Sequence, residues 1–580
     1  MHIISPVVYF FLTSLSILTL PQSPRVSSDE KSVITSIEIF VETVQRDRKH
    51  FQIQNLTNGE ADWTWRIYDA ETGKQVAMSH RRNPGFRLPR GAYDLLVTAK
   101  GKNELVRHFR RHITVLPSLF SEDEADEVID LSTVPGDSYV KDYRGEPRPG
   151  YRIILKGTYR GRIKISGLHG TRERPVHIIN KGQVEMHATN NTYPFAWLWG
   201  DNNQYILIDG KADPDIPFGM KLVGHPEKPG QILFLGGKFN RGFEITGLNL
   251  IGHQGKTDGS AAIQVQTTFT EDCNAENWNF EFLKIHHTKI ENASSEGMYL
   301  GYFTDEKRDT GYAPYRLGKV LVYQDTIINS GWDAIQIASA DQFEVHNSYV
   351  DGASLSGKRN HSSFISWNNG NIEGYCYRNT FRNSAHAATI IFGETGRDAF
   401  IYSNLFIEGS FPSAINTPGF FFTKAYNEFE DIRLFIFHNT IVTSRISAKV
   451  DYRKNNLTRG IPIVYAGNAI LQNRINDDGH PEIAMGRDLA DSAHWVIDNV
   501  WRLQRREKDL HWTPDYRPKH GSPLTKINFD ITEHLTKLKG GFYDRDGYPL
   551  KHEKVGYTSG CFSAHQTDQE DEKVISHGIH

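Results

Sequence analysis

Asp333-Ala-Ile-Gln-Ile337 is one of four renderings of a single phrase, the others being Phe218-Gly-Met-Lys-Leu222, Ala261-Ala-Ile-Gln-Val265 and Glu296-Gly-Met-Tyr-Leu300. Each follows a polar turn. A second phrase runs out of phase with the first and sets apolar residues at −4, −2 and +2 around an Asn. It reads Phe343, Val345, Asn347, Tyr349; then Tyr375, Tyr377, Asn379, Phe381; then Phe400, Tyr402, Asn404, Phe406; then Phe435, Phe437, Asn439, Ile441. Asp325, with Leu321, Tyr323 and Ile327 around it, fits the same frame one coil earlier. Alternation of period two marks a strand with one buried face, and its return every few tens of residues marks a solenoid.

The spacing identifies the kind of solenoid. With Leu222, Val265, Leu300, Ile337, Ile365 and Ile390 taken as equivalent, the intervals are 43, 35, 37, 28 and 25 residues. Helical repeats hold a stricter period because their helices pack at fixed length, whereas strand coils need only keep their strands in register. Short strands rich in Ile, Val, Phe and Tyr, broken by Gly, Asn, Ser and Asp, therefore predict an all-β parallel β-helix, with an antiparallel β-sandwich as the competing fold. An Asn recurring at one turn fits as well, since its amide can bond the coils above and below.

The chain has 580 residues, 38% of them apolar and 12% aromatic, enough for more than one domain and a sizeable core. A formal charge of −3 with one short basic cluster, Arg107 to His112, argues against a nucleic-acid partner. Residues 1–28 open on an apolar run ending near Leu20, which reads as a signal peptide or an anchor. Export to the periplasm, cell surface or medium is the expectation, with no other segment apolar enough to span a bilayer. Three widely separated cysteines, Cys273, Cys376 and Cys561, exclude a disulfide framework and a Cys-based zinc site. Cys376, between two tyrosines of a predicted strand, reads as a buried thiol.

Residues 33–116 carry Trp63, Trp65, Ile67 and Tyr68 before a Glu71-Thr-Gly73 turn, then Gly85-Phe86, Gly91-Ala-Tyr93, Leu95 and Val97. That rhythm predicts a small antiparallel β-sandwich. Its Trp-x-Trp strand and Gly-x-Tyr-x-x-x-Val hairpin resemble the PKD-like, immunoglobulin-type modules of secreted bacterial proteins, a resemblance that implies a spacer or weak sugar binder. An acidic linker, Ser121 to Asp130, follows. The β-helix is expected over 130–565, closing in a turn-rich cap around Pro514–Pro518, Gly521–Leu524 and Asp544–Pro549, with 566–580 a polar tail.

The coil pattern, the Asn positions and the phrase Ser330-Gly-Trp-Asp-Ala-Ile-Gln336 resemble the right-handed parallel β-helix proteins of the pectate-lyase-like superfamily, over about three quarters of the chain. The resemblance implies a right-handed helix and a carbohydrate ligand. Its lyases use a Lys or Arg base, often with calcium. Its polygalacturonases pair an Asp-Asp with a Gly-His-Gly turn; here Asp477-Asp478 runs straight into Gly479-His480-Pro481, so that arrangement is broken. One fold hosts many activities, so the reaction must come from the site.

Four residues before each reference position stand Phe218, Ala261, Glu296, Asp333, His361 and His386, then Thr417 and Gly460. Four adjacent coils thus place titratable groups at one turn, and with strands about 4.8 Å apart these form a row roughly 15 Å long. Glu296 and Asp333 would repel unless a proton, a basic group or a cation such as calcium lies between them. They are read as substrate-binding or calcium-holding, with Trp332 offering a surface-facing ring to a sugar and Trp367 left undecided. His361, His386, Lys358 and Arg359 are the candidate catalytic bases. The expected activity is β-elimination on an acidic, uronate-containing polysaccharide by a monomer; the alternatives are a non-catalytic carbohydrate binder and a glycoside hydrolase using the paired carboxylates. His286-His287 and Asp213-Pro-Asp215 read as structural; two adjacent histidines on a strand point to opposite faces and cannot chelate one metal together.

Overall fold

The computed structural model describes residues 39–40, 44–46, 51–52, 54–55, 61–82, 84–89, 91–101, 106–116, 125–136, 138–172, 174–189, 201–213, 216–227, 231–253, 261–302, 311–356, 361, 363–367, 371, 373–384, 387–392, 398–407, 420–424, 433–437, 439–443, 450–452, 463–466, 468–472, 494–497 and 500–503. The expected leader, C-terminal cap and polar tail lie outside them. Two compact units divide the chain, the second beginning at Ser118.

In the first unit the tryptophan-rich strand Ala61–Asp69 pairs antiparallel with Gln75–Ser79 on one side and Gly91–Gly101 on the other, and Val106–Leu116 follows. The short strand Val44–Arg46 closes the edge in parallel. Alternation puts Trp63, Trp65, Ile67, Leu95 and Val97 on one buried face. The Tyr93 hydroxyl donates to the Pro89 carbonyl at 2.8 Å, and Trp65 Nε1 donates to the Arg81 carbonyl at 2.7 Å. Two pairs of two-residue strands accompany this five-stranded sheet.

The second unit is a three-sided parallel β-helix. Among the described residues its faces are parallel sheets of 13, 12 and 8 strands. One coil shows the plan: Arg316–Tyr323 belongs to the first sheet, Thr326–Ser330 to the second and Ile335–Ile337 to the third. The first strand, Glu127–Asp130, falls inside the stretch read as an acidic linker. Ile129 turns into the core, while Glu127 is held by the Lys141 ammonium at 2.7 Å and the Tyr143 hydroxyl at 2.7 Å. No helix of the described residues is long and apolar enough to cross a membrane.

Register turns periodicity into vertical rows. In the first sheet Ile153, Ile178, Ile208, Ile245, Ile285 and Val322 are successive lateral partners, and the row continues through Val345, Cys376, Ile401 and Ile436. All are buried, so Cys376 occupies an aliphatic slot as expected. One residue further along each strand, on the outer face, the rings of His286, Tyr323, His346, Tyr377, Tyr402 and Phe437 stack with centroids 4.6–5.1 Å apart and planes within 10°. Gly374 is the gap that lets Phe343 spread: a Cβ there would come within 2.3 Å of the Phe343 ring.

The turn between first and second sheets holds an asparagine ladder. The backbone N–H of Asn379 donates to Asn404 Oδ1, that of Asn404 to Asn439 Oδ1, and that of Asn439 to Asn468 Oδ1, each at 3.0 Å. Each preceding residue that the structure describes is in the left-handed region: His287, Gln324, Asn347, Arg378 and Ser403 have φ between 53° and 59°. The earlier rungs are therefore Thr288, Asp325 and Ser348, since Ser348 N donates to Asn379 Oδ1 at 2.9 Å. The expected rung Asn347 is corrected to Ser348. Asn suits a left-handed turn as well as a ladder, and the sequence frame slipped by one onto the wrong Asn.

Replacing Asn404 by Ala removes three donations, to the Cys376 and Tyr402 carbonyls and to Asn439 Oδ1, and strands the buried Asn379 N–H. The expected cost is about 2–4 kcal/mol, read as a lowered thermal midpoint; an unchanged midpoint would show that the ladder is not what fixes these coils.

Candidate functional site

Each of three consecutive coils contributes one residue to a buried carboxylate–imidazole–carboxylate cluster. Glu296 and Asp333 sit at the turn entering the third sheet, immediately before Met298–Leu300 and Ile335–Ile337, and His361 precedes Ser363–Trp367. In this sheet Val265, Leu300 and Ile337 are true lateral partners, as the sequence frame had them. Their next partner is Trp367, not Ile365, which lies beside Ile335; Ile390 lies beside Ser366. Leu222 belongs to the second sheet, between Met186 and Leu250, and the third-sheet partner of Val265 is Leu235. Phe218 therefore leaves the row, and the residue four before Trp367 is Ser363. His361 still arrives at the cluster, from two residues further back.

The His361 Nδ1 lies 3.4 Å from Glu296 Oε1 and 3.6 Å from Asp333 Oδ2. Ser363 anchors Asp333 from the next coil, its backbone N–H and its hydroxyl both donating to Oδ1 at 2.7 Å. Glu296 Oε2 is buried without a hydrogen bond. Side-chain exposure separates the members, at 2% for Glu296, 0% for Asp333 and 29% for His361. Access to the cluster runs through the imidazole.

Burial alone would depress the His361 pKa, but hydrogen bonding and charge from Asp333 and Glu296 outweigh it and raise the pKa to about 9. His361 is an imidazolium at neutral pH. Burial pushes Asp333 above the usual carboxylate range, opposed by His361 and Ser363 and reinforced by the Glu296 charge.

Trp332 does not face the surface. It is 5% exposed, and its indole lies over the His361 ring with centroids 4.5 Å apart and planes tilted by 34°. The left-handed Asn329 and the Ser330 hydroxyl donating to the Trp332 carbonyl at 3.0 Å curl this turn inward. Trp367 is fully buried, edge-on to Phe343 at 4.8 Å. Lys358, Arg359 and His386 lie outside the described residues, as do Thr417 and Gly460.

Ser363 and the stacking role of Trp332 were missed by sequence reasoning. The signal for Ser363 was present, because Trp367 taken as the reference apolar residue places Ser363 in the row. The opposite-face geometry expected of His286 and His287 also needs correction, though not their reading as structural. The left-handed φ of 53° at His287 breaks strand alternation, so the two Nδ1 atoms meet at 2.7 Å, while His286 Nε2 lies 3.2 Å from Glu244 Oε1. Asp213 is structural, its Oδ2 accepting from the Gly182 N–H at 3.2 Å. No cluster of three or more His, Cys, Asp or Glu side chains among the described residues is arranged to hold a metal ion.

No family model matches the chain, and no curated protein matches it. Among solved structures it is similar to the family 28 exopolygalacturonase of Yersinia enterocolitica, at 7% identity and a TM-score of 0.36, over 82% of this chain and 99% of that one. It is also similar to the GH136 lacto-N-biosidase of Eubacterium ramulus, at 12% identity and a TM-score of 0.34, over 61% of this chain and 62% of that one. A pectate lyase of Pectobacterium carotovorum aligns at 9% identity and a TM-score of 0.12, over 62% of this chain and 86% of that one. No role at the site follows from them.

Removing the imidazole leaves two buried carboxylates uncompensated. His361→Gln is expected to cost about 3–5 kcal/mol at neutral pH, with Glu296→Gln in the same chain recovering part of the loss. Because its folded pKa is raised, the stabilisation from His361 is fully present below an unfolded value of about 6.5 and is lost as pH rises through about 9. Thermal midpoints of wild type and His361→Gln should therefore converge above about pH 9; a gap that stays constant with pH would contradict the ion-pair account.

Proposed function

We propose that this chain is an exported polysaccharide-active enzyme, a lyase on an acidic, uronate-containing polymer, and that His361 is the catalytic group that meets the substrate. The observation carrying this reading is the division of exposure within the cluster, where an accessible imidazolium is held by two carboxylates that are not accessible. Glu296 and Asp333 are positioning residues on this reading. They fix the ring, as does Trp332, and keep it charged.

A charged imidazolium gives a proton before it takes one. In β-elimination the C5 proton leaves to a base, the C4–C5 double bond forms, the C4–O bond breaks, and the departing glycosidic oxygen takes the His361 proton. Lys358, Arg359 and His386 stay the candidate bases on the strength of the sequence alone. A glycosidase built on Glu296 and Asp333 is disfavoured, since that chemistry needs both carboxyl groups flanking the bond, and these are 2% and 0% exposed.

Calcium between the two carboxylates is also disfavoured by the donor set. Calcium takes 6–8 oxygen ligands, and here the partner shared by the pair is an imidazole nitrogen. His361 supplies the counter-charge instead, so activity should survive a chelator. The apolar N-terminal run fits export, and the small antiparallel unit fits a PKD-like spacer.

Incubation with a panel of uronate polymers, following unsaturated-product absorbance together with reducing ends, tests the reading. Absorbance with ends is expected, and His361→Ala should abolish both; ends alone would mean hydrolysis, and retained binding with neither would mean a carbohydrate-binding protein. With His361 as acid, the rate should fall as pH passes about 9, the raised imidazolium value. Asp333→Asn, by removing one holding charge, should move that fall to lower pH, and an unmoved profile would remove His361 from the acid role.

A further inference from the structure

The ladder rung at Asp325 differs from an asparagine by one atom. In the four asparagine rungs Nδ2 donates to a carbonyl on the preceding coil, three residues before that coil's own rung. Asn379 donates to Val345 at 2.9 Å, Asn404 to Cys376 at 2.9 Å, Asn439 to Ile401 at 2.9 Å and Asn468 to Ile436 at 3.0 Å. Asp325 keeps the accepting half of this pattern, since its Oδ1 takes the Thr288 N–H at 2.7 Å. Its other oxygen, Oδ2, is buried and has no hydrogen bond. In the place of an asparagine Nδ2, Oδ2 would meet the carbonyl of Ile285, three residues before Thr288, as the four asparagine rungs meet theirs. Two acceptors cannot bond, and a buried carboxylate beside a carbonyl dipole is costly; a carboxylic O–H supplies the missing donor.

We infer that Asp325 is held as a neutral carboxylic acid that stands in for an asparagine amide, and that it gives the β-helix a built-in pH sensitivity, the stack tightening in acid and loosening as pH rises. Among the described residues no cation faces the carboxyl to stabilise its charge. On its own turn stands Tyr323; on the preceding turn stand His286 and His287, the former bound to Glu244, and on the following turn stands His346. Burial, with the charges of Arg378 and Lys319, lowers His346 to about 3, so that ring is neutral. Ser348 accepts from the Asp325 backbone N–H at 3.2 Å and its hydroxyl donates to the His346 carbonyl at 3.2 Å, so that hydroxyl is already committed and does not serve Oδ2. Burial also pushes the Asp325 pKa well above the usual carboxylate range, against the backbone amides at Thr288 and Tyr323. With the folded pKa raised, stability is highest below the unfolded value of about 3.9 and declines as pH rises from there through the folded value.

Thermal melts of the full chain, wild type against Asp325→Asn, across about pH 4 to pH 8.5 test this without any assay of activity. The variant should match wild type at the acid end and exceed it by a growing margin, several degrees by the alkaline end. A margin independent of pH, or a variant less stable at every pH, overturns the inference. Should Asp325→Asn fail to fold, Asp325→Ser, which copies the neighbouring Ser348 rung, takes its place. The infrared difference spectrum between wild type and that variant near pH 7 should contain a protonated-carboxyl band, and a carboxylate band in its place also overturns the inference.

Discussion

A hydrogen bond repeated coil upon coil at one turn governs this molecule. Each asparagine rung satisfies the backbone N–H of the rung before it and donates its own amide back to the preceding coil, where a residue of the inward aliphatic row supplies the carbonyl. The turn polar groups are thereby consumed at zero exposure, which is what permits the flanking rows to be wholly apolar. The ladder also fixes register. A slip of one residue would send the Ile178-to-Ile436 row outward and the ring stack inward, so the polar turn and the apolar faces enforce the same alignment.

The ladder changes composition where the candidate site sits. Asparagine holds the rungs at 379, 404, 439 and 468, but the three coils that deliver Glu296, Asp333 and His361 use Thr288, Asp325 and Ser348. Thr and Ser offer shorter side chains with fewer donors than an amide, and Asp lacks a donor unless protonated. The most redundant hydrogen bonding therefore lies beyond the site, and the site's own coils rest on sparser connections. Ser363, giving Asp333 two hydrogen bonds, restores locally what these rungs lack.

The fold was legible because its signal is written many times over: period-two alternation recurs in every coil, and an error in one copy does not change the class. The site was legible in part. Glu296 and Asp333 were placed correctly because Val265, Leu300 and Ile337 are true partners. The frame then slipped by two, since Ile365 and Trp367 both point inward and either could continue the row. The Asn347 slip has the same origin, two neighbouring positions that favour one residue type for different physical reasons, a left-handed backbone and a ladder amide. Side-chain depth was beyond the sequence altogether. Nothing in Ser330-Gly-Trp-Asp333 says that its turn curls inward, because that depends on Asn329 in a left-handed conformation and on the neighbouring coils.

Depth decides the chemistry. Had Glu296 and Asp333 faced solvent as an open row, they would have suited a cation or the two faces of a glycosidic bond. Enclosed, they can act only on the group they touch, and both touch the same nitrogen. The effect of the enclosure is to invert the usual behaviour of a buried histidine: desolvation favours the neutral ring, as at His346, yet two carboxylates within 3.6 Å hold His361 charged. Two histidines of one coil, His346 in its first-sheet strand and His361 at the turn into its third, thus take opposite protonation states at neutral pH, one a stacked neutral ring and the other an imidazolium held by carboxylates, according to what stands beside each.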